Sequence, residues 1–365
     1  MKKTIKNKQI ETKFKTKKDD RHFNYSFESN PTKLSFLEDL KISIGSCVSE
    51  YNGICLFKSI EGLFVLSYFE TLFGKTNLYS YNLIDKKIIH QIKRLKGKGA
   101  FINHFLDNIN KRDLLLQIIS GEDYEPINNI YIWNFNNLDC ILLLQKIYEK
   151  GLVYSASLLK ENNQFYLITS NNSGKELSLP LKVFDLNGNK VKEINKIKSD
   201  IKYMHIYYDK NLKKKFIVLI NNTLCSYDYS TNKLYKTYYD KKGHIDEDTV
   251  VINDEKKPVK IMECNFNGEI RIFNFHTGSL LFESRGGGPA FCYWNDNYVF
   301  VAENYDRFSL ININSPKVKQ YFTGHKSNVY KILKIFHPTF GECLITFEEY
   351  RAKLWIIKKD SRKKH

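Results

Sequence analysis

The sequence lacks the residue patterns that indicate catalysis or metal binding. Its seven cysteines, at positions 47, 55, 140, 225, 264, 292 and 343, form no CxxC pair, and most lie within apolar, strand-like stretches. We therefore expect buried thiols in a reducing compartment rather than disulfides or a zinc site. No HExxH or GxSxG sequence occurs, and no acidic pair has a catalytic spacing. We predict that the protein is not an enzyme and that it has no catalytic residues, no metal and no cofactor.

Long apolar runs are also missing. The most apolar windows, Leu114–Ile119 and Ile141–Leu144, are strand-length, whereas a membrane span needs about 20 apolar residues. Met1-Lys2-Lys3 resembles the start of a secretory signal, but no apolar stretch follows it. We expect no transmembrane segment and a cytoplasmic or nuclear location.

Basic charge is abundant but unevenly placed. Of the formal net charge of +17, residues 1–21 carry +6 and residues 358–365 carry +4. Both ends are poor in apolar residues, so we predict a disordered basic tail at 1–21, a folded body at 22–357 and a basic C-terminal tail at 358–365. An A/T-rich genome would also produce a lysine-rich chain without selection for an acidic partner.

A strand–turn–strand motif recurs through the predicted folded body. In the clearest copy, Glu269 to Glu283, the first strand directs successive side chains to opposite sides. The turn His276-Thr277-Gly278-Ser279 and a return strand follow it. The copies are spaced by about 46 residues, within the period of propeller blades, and centre on Tyr81-Asn82, Trp133-Asn134, Phe184-Asp185, Tyr227-Asp228, Phe273-Asn274, Ile311-Asn312 and Trp355-Ile356.

This spacing predicts an all-β fold, a single β-propeller of about seven four-stranded blades. The last blade has only three strand patterns, ending at 353–357, while weak strand candidates at 25–28 and 41–44 precede the first blade. An open ring would leave an unburied blade face, so we expect a strand from the 25–46 region to complete the last blade. We also expect the rings of Trp133, Phe273 and Trp355 to pack between blades.

The last blade resembles a repeat of the WD-repeat β-propeller family. Gly324-His325 precedes its first strand, and Leu354-Trp355 lies downstream. Gly243-His244 ahead of Phe273-Asn274 is a second partial match. The resemblance in period and hairpin pattern extends over about residues 35–358, and it implies structural roles for both histidines.

The repeats depart from the family pattern at two positions. In that family the histidine bonds to an aspartate in the turn six residues before the tryptophan, where this chain has Glu349 in the last blade and Asn267 in the fifth. The aspartate that ends the family's repeat is replaced by Ile356. The resemblance therefore implies a modified polar network.

Propellers without catalytic groups commonly serve as rigid platforms that bind proteins through rim loops. We therefore predict an intracellular scaffold that binds peptides or other protein subunits of a larger complex. Candidate rim contacts beside the inner strand of the last blade are Asn328, Tyr330 and Glu348.

A second hypothesis is a nucleic-acid-associated propeller, for RNA processing or ribosome assembly, with the tails as electrostatic arms. Its candidate surface interleaves lysine and tyrosine, residues that neutralise phosphates and stack bases, and comprises Lys213, Lys214, Lys215, Tyr235, Lys236 and Tyr238. Lysines on outer strands equally serve to block edge pairing. A third hypothesis, phosphoinositide binding, is weaker because Arg285 is a single arginine where propellers of that class carry two.

Overall fold

The computed structural model describes residues 26–40, 42, 54–59, 62–70, 75–96, 98–120, 129–148, 153, 155–170, 179–198, 201, 203–220, 223–239, 248–254, 257–264, 268–285, 288, 290–303, 306–348 and 351–358. Nearly all of these residues belong to strands or to the turns between them. Alternating apolar and polar side chains, rich in Ile, Val, Phe and Tyr, favour strands that are buried on at least one face.

The described residues form 28 strands, numbered β1 to β28 in chain order. A short 3₁₀ turn, Pro31–Lys33, precedes the first strand. The strands are Leu34–Leu40, Ile54–Ser59, Gly62–Glu70, Lys75–Asn82, Lys87–Lys96, Lys98–Asp107, Arg112–Ser120, Asn129–Asn134, Cys140–Gln145, Ala156–Glu161, Gln164–Thr169, Pro180–Asp185, Lys190–Lys198, Tyr203–Asp209, Lys214–Ile220, Leu224–Asp228, Lys233–Tyr239, Asp248–Ile252, Lys260–Cys264, Glu269–Asn274, Leu280–Arg285, Phe291–Asn295, Tyr298–Ala302, Phe308–Asn312, Ser315–Phe322, Lys331–His337, Gly341–Glu348 and Arg351–Ile357.

The strands form seven antiparallel sheets of four, which are the blades of a β-propeller. Blades 1 to 6 are consecutive groups from β2–β5 to β22–β25, and blade 7 contains β26, β27, β28 and β1. First strands of neighbouring blades contact one another, as β2 contacts β6 and β22 contacts β26, so the first strands line the ring's centre and the fourth strands lie outside. The prediction of seven four-stranded blades is confirmed. We call the end of the ring that carries the connections between blades the upper rim, and the opposite end the lower rim.

The ring is closed by β1, which pairs antiparallel with β28. The register runs from Leu34 opposite Ile357 to Leu40 opposite Ala352, with a bulge between Phe36 and Glu38. Closure by an N-terminal strand is therefore confirmed. The strand lies at 34–40, between the two segments expected from sequence, and residues 26–28 are not in a strand.

The Asn or Asp that ends the third strand of a blade organises the following turn. Oδ1 of Asn274 accepts hydrogen bonds from the backbone N–H of His276 (3.0 Å) and Thr277 (2.9 Å). Oδ1 of Asp228 does the same for Ser230 (2.9 Å) and Thr231 (3.1 Å). Short polar side chains thus complete tight turns that the backbone alone leaves partly unbonded.

The core lies between adjacent blades. Trp355 and Phe273 are buried as predicted, and the Trp355 ring packs edge-on against Phe308 of blade 6, with centroids 5.0 Å apart. Trp133 is only half-buried: it packs at the edge of the core between blades 1 and 2, and its ring stacks on Tyr131 (5.2 Å). Each blade therefore stabilises its neighbours, and the ring depends on closure.

Candidate functional site

The connection between blades 6 and 7, residues 323–330, is held by a buried polar network. His325 is buried, and its Nε2 lies 3.0 Å from Oγ1 of Thr346 on β27. The indole Nε1 of Trp355 on β28 donates to the same oxygen at 2.8 Å. Thr346 therefore links the connection to the third strand of blade 7.

A second part of the network fixes the backbone of this connection. Oε2 of Glu348 accepts hydrogen bonds from the N–H of Lys326 (2.5 Å) and Ser327 (3.2 Å) and lies 3.6 Å from Nδ1 of His325. The N–H of Tyr330 donates to the carbonyl of Phe347 at 2.8 Å. Burial lowers the pKa of His325, against the opposing effect of Glu348, so the imidazole is neutral near pH 7.

The three predicted rim residues differ in their exposure to solvent. Asn328 is exposed, as is Lys326, and Tyr330 is half-buried against the core at the junction of blades 7 and 1. Glu348 is only 1% exposed and its carboxylate is used inside the chain, so the structure places it beneath the rim. Position 349, where the family resemblance puts the acid, lies outside the described residues, as does Asn267. The carboxylate that meets the histidine connection is that of Glu348.

Blade 2 contains a comparable bond at the equivalent register. In blade 2, Trp133 pairs with Leu115 of the second strand, and Gln117 follows two residues later. In blade 7, Trp355 pairs with Leu344 of the second strand, and Thr346 follows two residues later. The indole Nε1 of Trp133 donates to Oε1 of Gln117 at 2.8 Å. The same position between the strands is thus filled by an amide in one blade and a hydroxyl in another.

In blade 5 the equivalent position on the second strand is Glu263, which belongs to an ionic cluster. Arg271, 2% exposed, lies with Nε 3.3 Å from Oε1 of buried Glu263 and with Nη2 3.3 Å from Oε2 of Glu269. Burial raises the pKa of Glu263 to about 7, although Arg271 opposes that shift. Exposed Arg285 lies beside Glu269 (3.2 Å), so the single arginine of the lipid hypothesis already has an acidic neighbour.

The lysines of the predicted nucleic-acid surface lie at or near the lower rim of blade 4. Lys213 is exposed in the turn between β14 and β15. Lys214 Nζ lies 2.9 Å from Asp228 Oδ2, and Lys215 Nζ lies 3.4 Å from Glu161 Oε1. Two of these three positive charges are therefore partly neutralised by neighbouring carboxylates.

The tyrosines of that surface contribute to the junction between blades 4 and 5. Tyr238 is 6% exposed, and its hydroxyl donates to the carbonyl of Phe275 at 2.8 Å. Tyr235 is half-buried, with its hydroxyl 3.0 Å from Nδ1 of His276. Lys236 lies under the turn containing Gly278 of blade 5. Tyr238 cannot stack on a base without leaving the junction.

The lower rim holds a feature that the sequence analysis missed. The segment before β1 crosses the ends of blades 6 and 7, where Phe27 is buried edge-on against Trp294 (4.7 Å). The carboxylate of Glu342 accepts from the N–H of Glu28 and Ser29, both at 2.8 Å. The sequence signals here were the candidate strand at 25–28, which is not a strand at 26–28, and Asn30-Pro31, which begins the 3₁₀ turn ahead of β1.

A buried lysine contacts this segment from inside the ring of blades. Lys334 is buried on the inner strand of blade 7, and its ammonium lies 5.0 Å from the centre of the Phe27 ring. Burial lowers its pKa to about 8. Within the described ranges, no group of three or more His, Cys, Asp or Glu residues is arranged to hold a metal, and no helix is long and apolar enough to cross a membrane.

Solved structures are similar to this chain in fold. One is the crystal structure of BBS1N in complex with ARL6DN, soaked with mercury. The similarity has a TM-score of 0.59 and covers 90% of this chain and 98% of that chain, at 10% sequence identity. The chain has a β-propeller fold. No protein-family model and no curated protein sequence matches it. At this level of identity the structural similarity shows the fold alone.

Proposed function

We propose that this chain is a non-catalytic, WD-repeat-type propeller that binds protein partners through its upper rim. The observation that carries the proposal is the connection at 323–330, whose backbone is fixed by Glu348 while Lys326 and Asn328 remain exposed. A loop fixed before binding loses little conformational entropy when it binds, which favours recognition. The similar BBS1N structure is itself a complex with a protein, ARL6DN.

The WD-repeat assignment is supported by the bonds from His325 to Thr346 and from Thr346 to Trp355. An intracellular location is supported by buried thiols, since burial raises the pKa of Cys55 and Cys343 to about 12 and keeps both protonated and unreactive. Such residues suit the cytoplasm or nucleus, where thiols stay reduced.

The proposal is tested by comparing the proteins captured from native cells by matched rim variants. Asn328→Arg changes an exposed side chain of the fixed connection, and Lys213→Glu changes an exposed side chain at the opposite rim. We expect Asn328→Arg to lose partners that the parent and Lys213→Glu retain, as measured by quantitative mass spectrometry. Equal retention of all partners by both variants, with unchanged melting temperatures, would contradict binding through the upper rim.

The nucleic-acid hypothesis is separated from this proposal by salt dependence. If the tails neutralise phosphates, the logarithm of the affinity for single-stranded RNA should fall with the logarithm of the salt concentration, by about 0.7 per phosphate contact. Removal of residues 1–21 and 358–365 would then abolish most of that dependence. The protein-binding proposal instead expects weak binding, alike for any polyanion and lost near physiological salt. Submicromolar binding by the tailless protein at physiological salt would favour the nucleic-acid hypothesis.

A further inference from the structure

In the part of the chain that the structure describes, the outermost strand of each blade pairs with one other strand only, and six of these seven edge strands carry charge. These strands are β1, β5, β13, β17, β21 and β25, and each contains at least one Lys, Arg, Asp or Glu. Charged residues on an edge strand oppose pairing with another chain. The six edges therefore have the composition of strands that are protected against association.

The outermost strand of blade 2 is the exception. Strand β9 has the sequence CILLLQ, from Cys140 to Gln145, with no charge, proline or glycine. In the part of the chain that the structure describes, β9 pairs only with β8. An uncharged strand of high β-propensity at a sheet edge is a template for pairing with another strand.

The inner face of β9 is covered, and its outer face is not. Leu142 is buried, and the backbone at Gly188 in blade 3 approaches both Leu142 and Leu144. On the other face Leu143 is 45% exposed, and Cys140 is exposed as well. The inner face of β9 is thus packed against blade 3, while Leu143 and Cys140 on its outer face are exposed.

The residues flanking β9 indicate which strand fits it. Asp139 precedes the strand and Lys146 follows it, and both are exposed. When two antiparallel copies pair, the start of each strand lies beside the end of the other, so each aspartate comes near the partner's lysine. The charges at the two ends are therefore complementary to those of a second copy.

We propose that β9 pairs antiparallel with β9 of a second copy, joining the two blade 2 sheets across a two-fold axis. Each described chain offers one uncharged edge, so a single pairing consumes both edges and the assembly closes as a dimer. A six-residue strand is about 20 Å long, and the interface is smaller than that of a standard stable complex. We therefore expect micromolar rather than nanomolar affinity.

The test is sedimentation equilibrium from low micromolar to several hundred micromolar protein at physiological salt. Leu143→Lys places a charge on the exposed face of β9. Val191→Lys is the matched control, since Val191 is 53% exposed on the outermost strand of blade 3. We expect the parent and Val191→Lys to dimerise alike and Leu143→Lys to stay monomeric, all with the same melting temperature.

Charge exchange tests the orientation independently. Asp139→Lys and Lys146→Asp should each weaken self-association, because each brings like charges together at both ends of the strand pair. An equimolar mixture of the two variants should restore dimers, since the heterodimer pairs lysines with aspartates. A parent that remains monomeric at the highest concentration overturns the proposal and leaves the edge to a peptide of another protein. The proposal is also overturned if Leu143→Lys dimerises with the parent's affinity. It is overturned as well if the mixture of Asp139→Lys and Lys146→Asp associates no more strongly than either variant alone.

Discussion

The closure of the ring by β1 makes a strong prediction about N-terminal truncation. Among the residues that the structure describes, deleting residues 1–42 removes the buried side chains of Phe27, Leu34, Leu40 and Ile42. Burial of each contributes roughly 1.5–3 kcal/mol, so the deletion forfeits roughly 6–12 kcal/mol. That loss is comparable to the 5–15 kcal/mol by which folded proteins are ordinarily stable. We therefore expect the truncated chain to lose cooperative unfolding.

Differential scanning calorimetry of three nested truncations measures this effect. A chain that starts at Ser26 retains all the closing contacts described above, and we expect it to melt like the parent. A chain that starts at Leu34 keeps β1 but lacks Phe27 and the bonds to Glu342, so its melting temperature should fall while its transition stays cooperative. A chain that starts after Ile42 should show no single sharp transition.

Addition of a synthetic peptide separates lost closure from general damage. A peptide of residues 26–42, supplied to the chain that lacks them, should bind beside β28 and restore the cooperative transition. The reasoning would be refuted if deletion of residues 1–42 left the melting temperature and unfolding enthalpy unchanged.

Further predictions concern the tryptophans and the buried histidine. Trp355→Ala should cost about 3–5 kcal/mol in urea unfolding as a large-to-small core change, whereas Trp133→Ala should cost less, because that ring is half-buried; equal costs would contradict the burial described above. The pKa of His325 is lowered from 6.5 by burial, so the unfolded chain binds more protons below about pH 6.5. Stability should therefore fall as the pH is lowered from 6.5 towards 4, and His325→Gln should reduce that fall; an identical pH profile for the variant would count against a buried neutral imidazole.

The period of the blades could be predicted because its causes are local. An Asn or Asp beside a tight turn bonds the backbone two or three residues away, as Asn274 does, and this chemistry can be recognised in the sequence. The position of β1 could not be predicted in the same way. Glu38 and Asp39 interrupt its apolar pattern, and the partner of Asp39 is Lys353, far along the chain.

The candidate site was only partly predictable for a related reason. Of the predicted rim contacts Asn328 is exposed, whereas Glu348 is buried, and that burial depends on the path of the connection above it. Tyr238 was expected at an outward-facing surface because it lies on an outermost strand. The turn of the next blade covers that strand, and its carbonyl at Phe275 accepts the Tyr238 hydroxyl. Contacts between blades leave no signal in the pattern of a single strand.

The pairing of β1 with β28 also sets an order of events during synthesis. Leu34 leaves the ribosome before its partner Ile357, which is made 323 residues later. At about 5–20 residues per second this interval is roughly 15–65 s. Throughout it, Leu34, Phe36 and Leu40 have no strand to pair with, so the nascent chain displays an unpaired apolar segment until the last blade emerges. Chaperones that recognise short apolar segments would have their longest opportunity to bind at this strand.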